Sequence, residues 1–92
     1  MVTASEAFYA VRDGKKVPVV KDDNTLIGRV CQLICSHINH GWLGINLANK
    51  VEGNLLSVRH YLEDLGYIVD KDYGVYWMFD PIIQSKRSSK TK

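Results

Sequence analysis

Cys31, Cys35, His37 and His40 are four potential metal donors within one ten-residue stretch of this 92-residue chain. Their spacing, C-x3-C-x-H-x2-H, would suit zinc if the four donors could converge on one ion. The surrounding pattern is helical, and a helix turns about 100° per residue. The other three donors therefore point about 40°, 240° and 180° away from Cys31. Donors spread around one helix cannot close a tetrahedron, so no metal site is expected. The two cysteines flank an apolar face and read as small buried hydrophobes. Helical geometry and a reducing compartment argue against a disulfide between them. His37 lies on the apolar side near the helix end, where a hydrogen-bonded core or helix-end histidine is expected.

Catalytic chemistry has little to stand on. No G-x-x-x-x-G-K-[ST], G-x-G-x-x-G or H-E-x-x-H occurs. Gly14-Lys15-Lys16 is the one glycine-lysine pair, and it lacks the upstream glycine and following Ser/Thr of a phosphate loop. No cofactor and no enzymatic activity are expected.

The elements that would position any site are legible from periodicity. Ala4, Ala7, Phe8 and Val11 recur at helical spacing, with Thr3 and Glu6 spaced as a capping box and Gly14 as a stop. Residues 4–13 read as a helix, with a hairpin of Phe8–Val11 and Val17–Val20 as the competing reading. Val17–Val20 is extended in both, and Pro18 places it at an edge. After the polar break Asp22–Asn24, Thr25–His40 reads as the longest helix. Leu26, Ile27, Val30, Leu33, Ile34 and Ile38 share its apolar face, with Gly28, Arg29 and Gln32 opposite. Trp42–Ile45 is expected to be extended, Leu47–Glu52 a brief helix capped by Asn46, and Gly53 a break. Leu55, Val58, Leu62 and Leu65 form the stripe of the next helix, capped by Asn54 and stopped by Gly66. Tyr67–Val69 and Val75–Phe79 then form a hairpin around the turn Asp70–Gly74.

Composition describes an ordinary globular chain, 46% hydrophobic and 24% charged, and the helices and strands above give it an α+β fold class. Residues 1–85 read as a single domain and 86–92 as a disordered basic tail. The formal charge is +2 but uneven. Residues 1–85 hold eight Lys+Arg against ten Asp+Glu, while the tail holds Lys86, Arg87, Lys90 and Lys92 with no acid. Such a tail suits phosphate or acidic partners. No apolar run approaches the roughly 20 residues needed to cross a bilayer, and no signal-peptide pattern opens the chain. A cytoplasmic location without membrane contact is expected.

From Asn24 to Phe79 the order of elements resembles the winged helix-turn-helix superfamily. The residues that carry the resemblance are Leu47-Ala48, Gly53, Val58 and the run Leu62…Leu65-Gly66-Tyr67-Ile68 leading into the hairpin. Ala48 suits the small residue on which the second helix packs, and Val58 the buried position of that helix. Gly53 falls five residues after the alanine, where the pattern has four. Residues 1–23 lie outside the resemblance, as a helix-strand extension.

The resemblance implies that the early exposed residues of the 55–65 helix meet base edges in the major groove. Carried over, these are Asn54, Ser57, Arg59 and His60, with Lys50 and Lys71 meeting phosphates. Arg can read guanine and Asn adenine. Glu63 and Asp64 oppose phosphate contact. The implied job is that of a small regulator of transcription or replication on double-stranded DNA, of a kind common in phages and mobile elements. The rival is a winged helix that binds a regulatory protein. Alternation puts Val75, Trp77 and Phe79 on one hairpin face and Tyr76 with Met78 on the other. If that second face is exposed, Tyr73, Tyr76 and Met78 would form a protein-binding patch. If Phe8 and the N-terminal helix cover it, they would not. A homodimer is compatible with either reading.

Overall fold

The computed structural model describes residues 1–19 and 21–77. Val20, Met78, Phe79 and the basic tail 86–92 lie outside the described residues, and with them the end of the expected hairpin.

Local signals build the three helices. Thr3 caps α1 (Ala4–Asp13) by the reciprocal box: Thr3 Oγ1 accepts from the Glu6 N–H at 3.2 Å, and Glu6 Oε1 accepts from the Thr3 N–H at 3.0 Å. Thr25 caps α2 (Leu26–Asn39), its Oγ1 accepting from the Gly28 N–H at 2.9 Å. Asn54 caps α3 (Leu55–Asp64) through the Leu56 N–H at 3.2 Å. Gly66, at φ +90°, turns the chain out of α3, and the Tyr67 N–H returns to the Leu62 carbonyl at 3.0 Å.

Three short strands complete the domain: β1 (Gly44–Asn46), β2 (Ile68–Val69) and β3 (Gly74–Tyr76). They form an antiparallel sheet in the order β1-β3-β2. The register aligns Ile45, Val75 and Val69 on one face, all buried. Gly44, Tyr76 and Ile68 align on the other. The core lies between the first face and the helices. Val30, Ile34 and Ile38 of α2, Val58 and Leu62 of α3, Leu47 and Trp77 are each at most 1% exposed. Trp77 is seated by its Nε1–H, which donates to the Trp42 carbonyl at 3.0 Å.

Several expectations need correction. Residues 47–52 form no helix. Leu47 is fully buried, and its N–H donates to the Tyr73 carbonyl at 2.9 Å. One turn follows, closed by the Lys50 and Val51 N–H groups on the Leu47 carbonyl, and Ala48 is exposed rather than packed under α3. A helix this short gains too few internal bonds to offset nucleation, so the sheet contact wins. The buried stripe of α1 is Ala4, Ala7 and Ala10, with Phe8 only half-buried. No strand forms at the described residues of the 17–20 segment. Instead Asn39 takes both backbone groups of Val17, donating from Nδ2 to its carbonyl (3.0 Å) and accepting from its N–H at Oδ1 (2.7 Å). Gly28, expected opposite the core, is buried because Asp22 crosses it; a Cβ there would lie 2.4 Å from the Asp22 carbonyl oxygen. No described helix is long and apolar enough to cross a membrane.

Candidate functional site

Val58 and Leu62 lock one face of α3 into the core, so the opposite face is presented outward. Asn54, Leu56, Ser57 and His60 are exposed in its cap and first turns, and Glu63 and Asp64 are exposed in its last turn. Asn54 and Ser57 are partly engaged by the cap itself. Asn54 Oδ1 accepts from the Leu56 N–H, and the Ser57 hydroxyl donates to the Asn54 carbonyl at 2.9 Å. Both keep donors or acceptors toward solvent. Leu56 is 54% exposed, an apolar residue that the helical stripe had not singled out.

Arg59 does not stand on this outward face. It is half-buried, and its guanidinium is committed inside the molecule. Nη2 donates to the Asp70 carbonyl at 2.8 Å and Nη1 to the Val69 carbonyl at 3.3 Å. The guanidinium carbon lies 4.8 Å from the centroid of the Tyr73 ring. The long stem lets a residue on the flank of α3 reach the hairpin turn, where carbonyls and an aromatic face satisfy a half-buried cation. Arg59 is therefore not available as a base reader in this conformation, and Tyr73 is half-buried under it rather than open at the hairpin tip.

The turn that receives Arg59 is dense with hydrogen bonds. Asp70 Oδ1 accepts from the Asp72 N–H at 2.9 Å and the Gly74 N–H at 2.8 Å, while the Tyr73 N–H donates to the Asp70 carbonyl at 3.1 Å. Lys71 is exposed at the tip.

Lys50 falls in a second place, apart from that turn. It lines a cleft of about 340 Å³ between α2 and the segment after β1, together with Asp23, Arg29, Gln32 and Ser36. Arg29 spends one donor on the Asp23 carbonyl at 3.1 Å and is otherwise exposed. The cleft thus gathers two cations, Lys50 and Arg29 from the polar face of α2, with the acid Asp23. Gln32 Oε1 is buried there without a hydrogen-bond partner among the described residues.

Tyr76, on the outer face of the sheet, is 36% exposed, and its hydroxyl donates to Asp70 Oδ2 at 3.4 Å. Trp42 is 54% exposed. Its ring stacks on His40 (5.2 Å, 27°) and meets His37 edge-on (4.8 Å). Each histidine turns Nδ1 to a carbonyl one helical turn back, His37 to Leu33 at 2.9 Å and His40 to Ser36 at 2.7 Å. Cys31 and Cys35 are buried thiols on the core side of the same helix. Among the described residues no group of three or more His, Cys, Asp or Glu side chains is placed to hold a metal ion.

No family model, no curated protein and no solved structure matches the chain.

Proposed function

We propose that this α+β domain is a winged helix-turn-helix protein that binds duplex DNA through the first turns of α3 and regulates transcription or replication. The order helix, strand, helix, hairpin, with the hairpin's second strand central in the sheet, supports that reading, with the single turn after Leu47 standing where the superfamily has the helix that precedes the reading helix. The observation that carries it is the polarity of α3. The cap and first turns expose Asn54, Leu56, Ser57 and His60 and no acid, while both acids stand in the last turn. A helix entering the major groove by its N-terminal half would set amide, hydroxyl, imidazole and apolar groups against base edges. Its acids would stay clear of the phosphates. Lys71 at the hairpin tip, and Lys50 and Arg29 at the cleft, supply cations for the backbone.

The test is a salt-titrated binding measurement on random duplex DNA. Affinity that falls steeply as salt rises is expected, and Ser57→Asp or His60→Asp should lower it about tenfold or more at unchanged Tm, since each sets a negative charge against the groove. No binding at low salt would remove the reading.

A protein-binding winged helix is the second reading. It is favoured by the exposure of Trp42 and Tyr76, large aromatic surfaces of the type that anchor protein interfaces. On that reading Trp42→Ala or Tyr76→Ala abolishes capture of the partner while Ser57→Asp leaves it intact.

A further inference from the structure

The turn between β2 and β3 is built on a residue that resists its own conformation. Tyr73 has φ +60°, and among the described residues it is the one non-glycine with positive φ. For a bulky side chain that region is strained. A glycine is adjacent, but Gly74 serves space instead: a Cβ there would lie 2.7 Å from Asp70 Oδ2 and 2.8 Å from the Tyr76 hydroxyl. Strain of this kind persists where the surroundings over-determine it, and it is concentrated at functional turns.

The surroundings can be named. The Tyr73 carbonyl accepts from the Leu47 N–H at 2.9 Å, and the Tyr73 N–H is held by the Asp70 carbonyl. The Tyr73 ring lies under Arg59, whose two terminal nitrogens hold the carbonyls of Val69 and Asp70. One end of Arg59 is therefore rooted in α3 between Ser57 and His60, and the other grips both sides of the turn that carries Lys71.

We infer that Arg59 is a positioning residue: with Tyr73 it clamps the 70–74 turn to α3 and fixes where Lys71 stands relative to Ser57 and His60. Helix and tip then meet a duplex as one rigid unit. The purpose of the clamp rests on the DNA reading; its mechanics do not. Two carbonyls and a ring face need a planar fork, so a lysine, which keeps only the charge, does not replace it.

The experiment uses the full chain as wild type, Arg59→Met and Arg59→Lys, with two readouts. The first is the rate of tryptic cleavage after Lys71 well below the Tm. Both variants should be cut about tenfold faster or more, because the turn opens locally without global unfolding. The second is a double-mutant cycle on DNA affinity with Lys71→Ala. In wild type, Lys71→Ala should weaken binding and reduce the salt slope by about one. In either Arg59 variant it should change neither, because the tip is no longer held in place. Unchanged cleavage, additive losses, or full recovery in Arg59→Lys would each overturn the clamp. If the Arg59 variants do not fold, Tyr73→Gly relieves the backbone and removes the ring. Faster cleavage after Lys71 in that variant supports the clamp, and wild-type cleavage refutes it. Absence of wild-type DNA binding at low salt would remove the DNA reading and the clamp's purpose, while the cleavage comparison still decides whether Arg59 holds the turn.

Discussion

Burial pushes the Cys31 thiol up from its ordinary value, outweighing the hydrogen bond its Sγ shares with the Tyr61 hydroxyl at 4.0 Å. A thiol kept protonated is a poor nucleophile, and Cys35 is fully buried beside it in the core of the same helix. Both cysteines are therefore expected to resist iodoacetamide at pH 8 in the folded protein and to react within minutes in urea. Rapid native labelling at either position, followed by mass spectrometry, would contradict the packing. Val58, 1% exposed, makes the same point more sharply. Val58→Asp places a carboxyl where desolvation costs several kcal/mol, comparable to the whole stability of a domain of this size, so it should abolish the melting transition. Ser57→Asp should fold with a Tm near wild type. Ser57 is exposed in the first turn of α3, where a negative charge meets the positive end of the helix dipole. Equal behaviour of the two variants would place the helix face wrongly.

Each helix is held at its start by a side chain, and α1 shows the consequence for pH. The backbone hydrogen bond from Thr3, reinforced by its hydroxyl, holds the Glu6 carboxyl below the ordinary glutamate value. Because the folded value is depressed, the cap's contribution is present above the unfolded value and is lost as pH falls through the folded one. The Tm difference between wild type and Glu6→Gln should therefore be seen at neutral pH and vanish under acid conditions below that folded value. A difference that stays constant across the titration would show that charge plays no part. Thr3→Ala should cost about 1 kcal/mol, the usual loss for an N-cap, in a thermal or urea melt.

For the molecule as a whole, α1 closes the fold rather than decorating it. Ala4, Ala7 and Ala10 are buried, and α1 packs on α2. The Ala4 N–H donates to the Leu65 carbonyl at 3.0 Å, and the Tyr67 hydroxyl donates to the Val2 carbonyl at 2.9 Å. Residues 1–13 thus tie the end of α3 to the start of the hairpin. Their removal should uncover the apolar flank of α2, leave those groups unpaired and eliminate cooperative unfolding by circular dichroism. A truncated chain that melts cooperatively at the wild-type Tm would show the segment to be an appendage. α1 packs on α2, and Tyr76 on the outer sheet face stays exposed.

Features set by near neighbours were readable along the chain. The box of Thr3 with Glu6, the stripe of Val58 and Leu62, the Asn54 cap and the alternation that buries Val75 and Trp77 each depend on residues a few positions apart, and each stands in the structure. What tertiary structure alone decided depends on which distant group comes within reach. The Asn46 cap and the Gly53 break frame Leu47–Glu52 as a brief helix, but a stretch so short cannot stabilise itself, and Leu47 joins the core and the Tyr73 carbonyl instead. Asn39 found the backbone of Val17 because α2 happens to end beside it. Periodicity placed Arg59 on the solvent side of its helix, yet its carbonyl partners lie ten and eleven residues further along the chain. A long flexible side chain is not confined to the direction of its Cβ; it settles where its charge can be satisfied, and that place exists only once the hairpin has folded back onto α3.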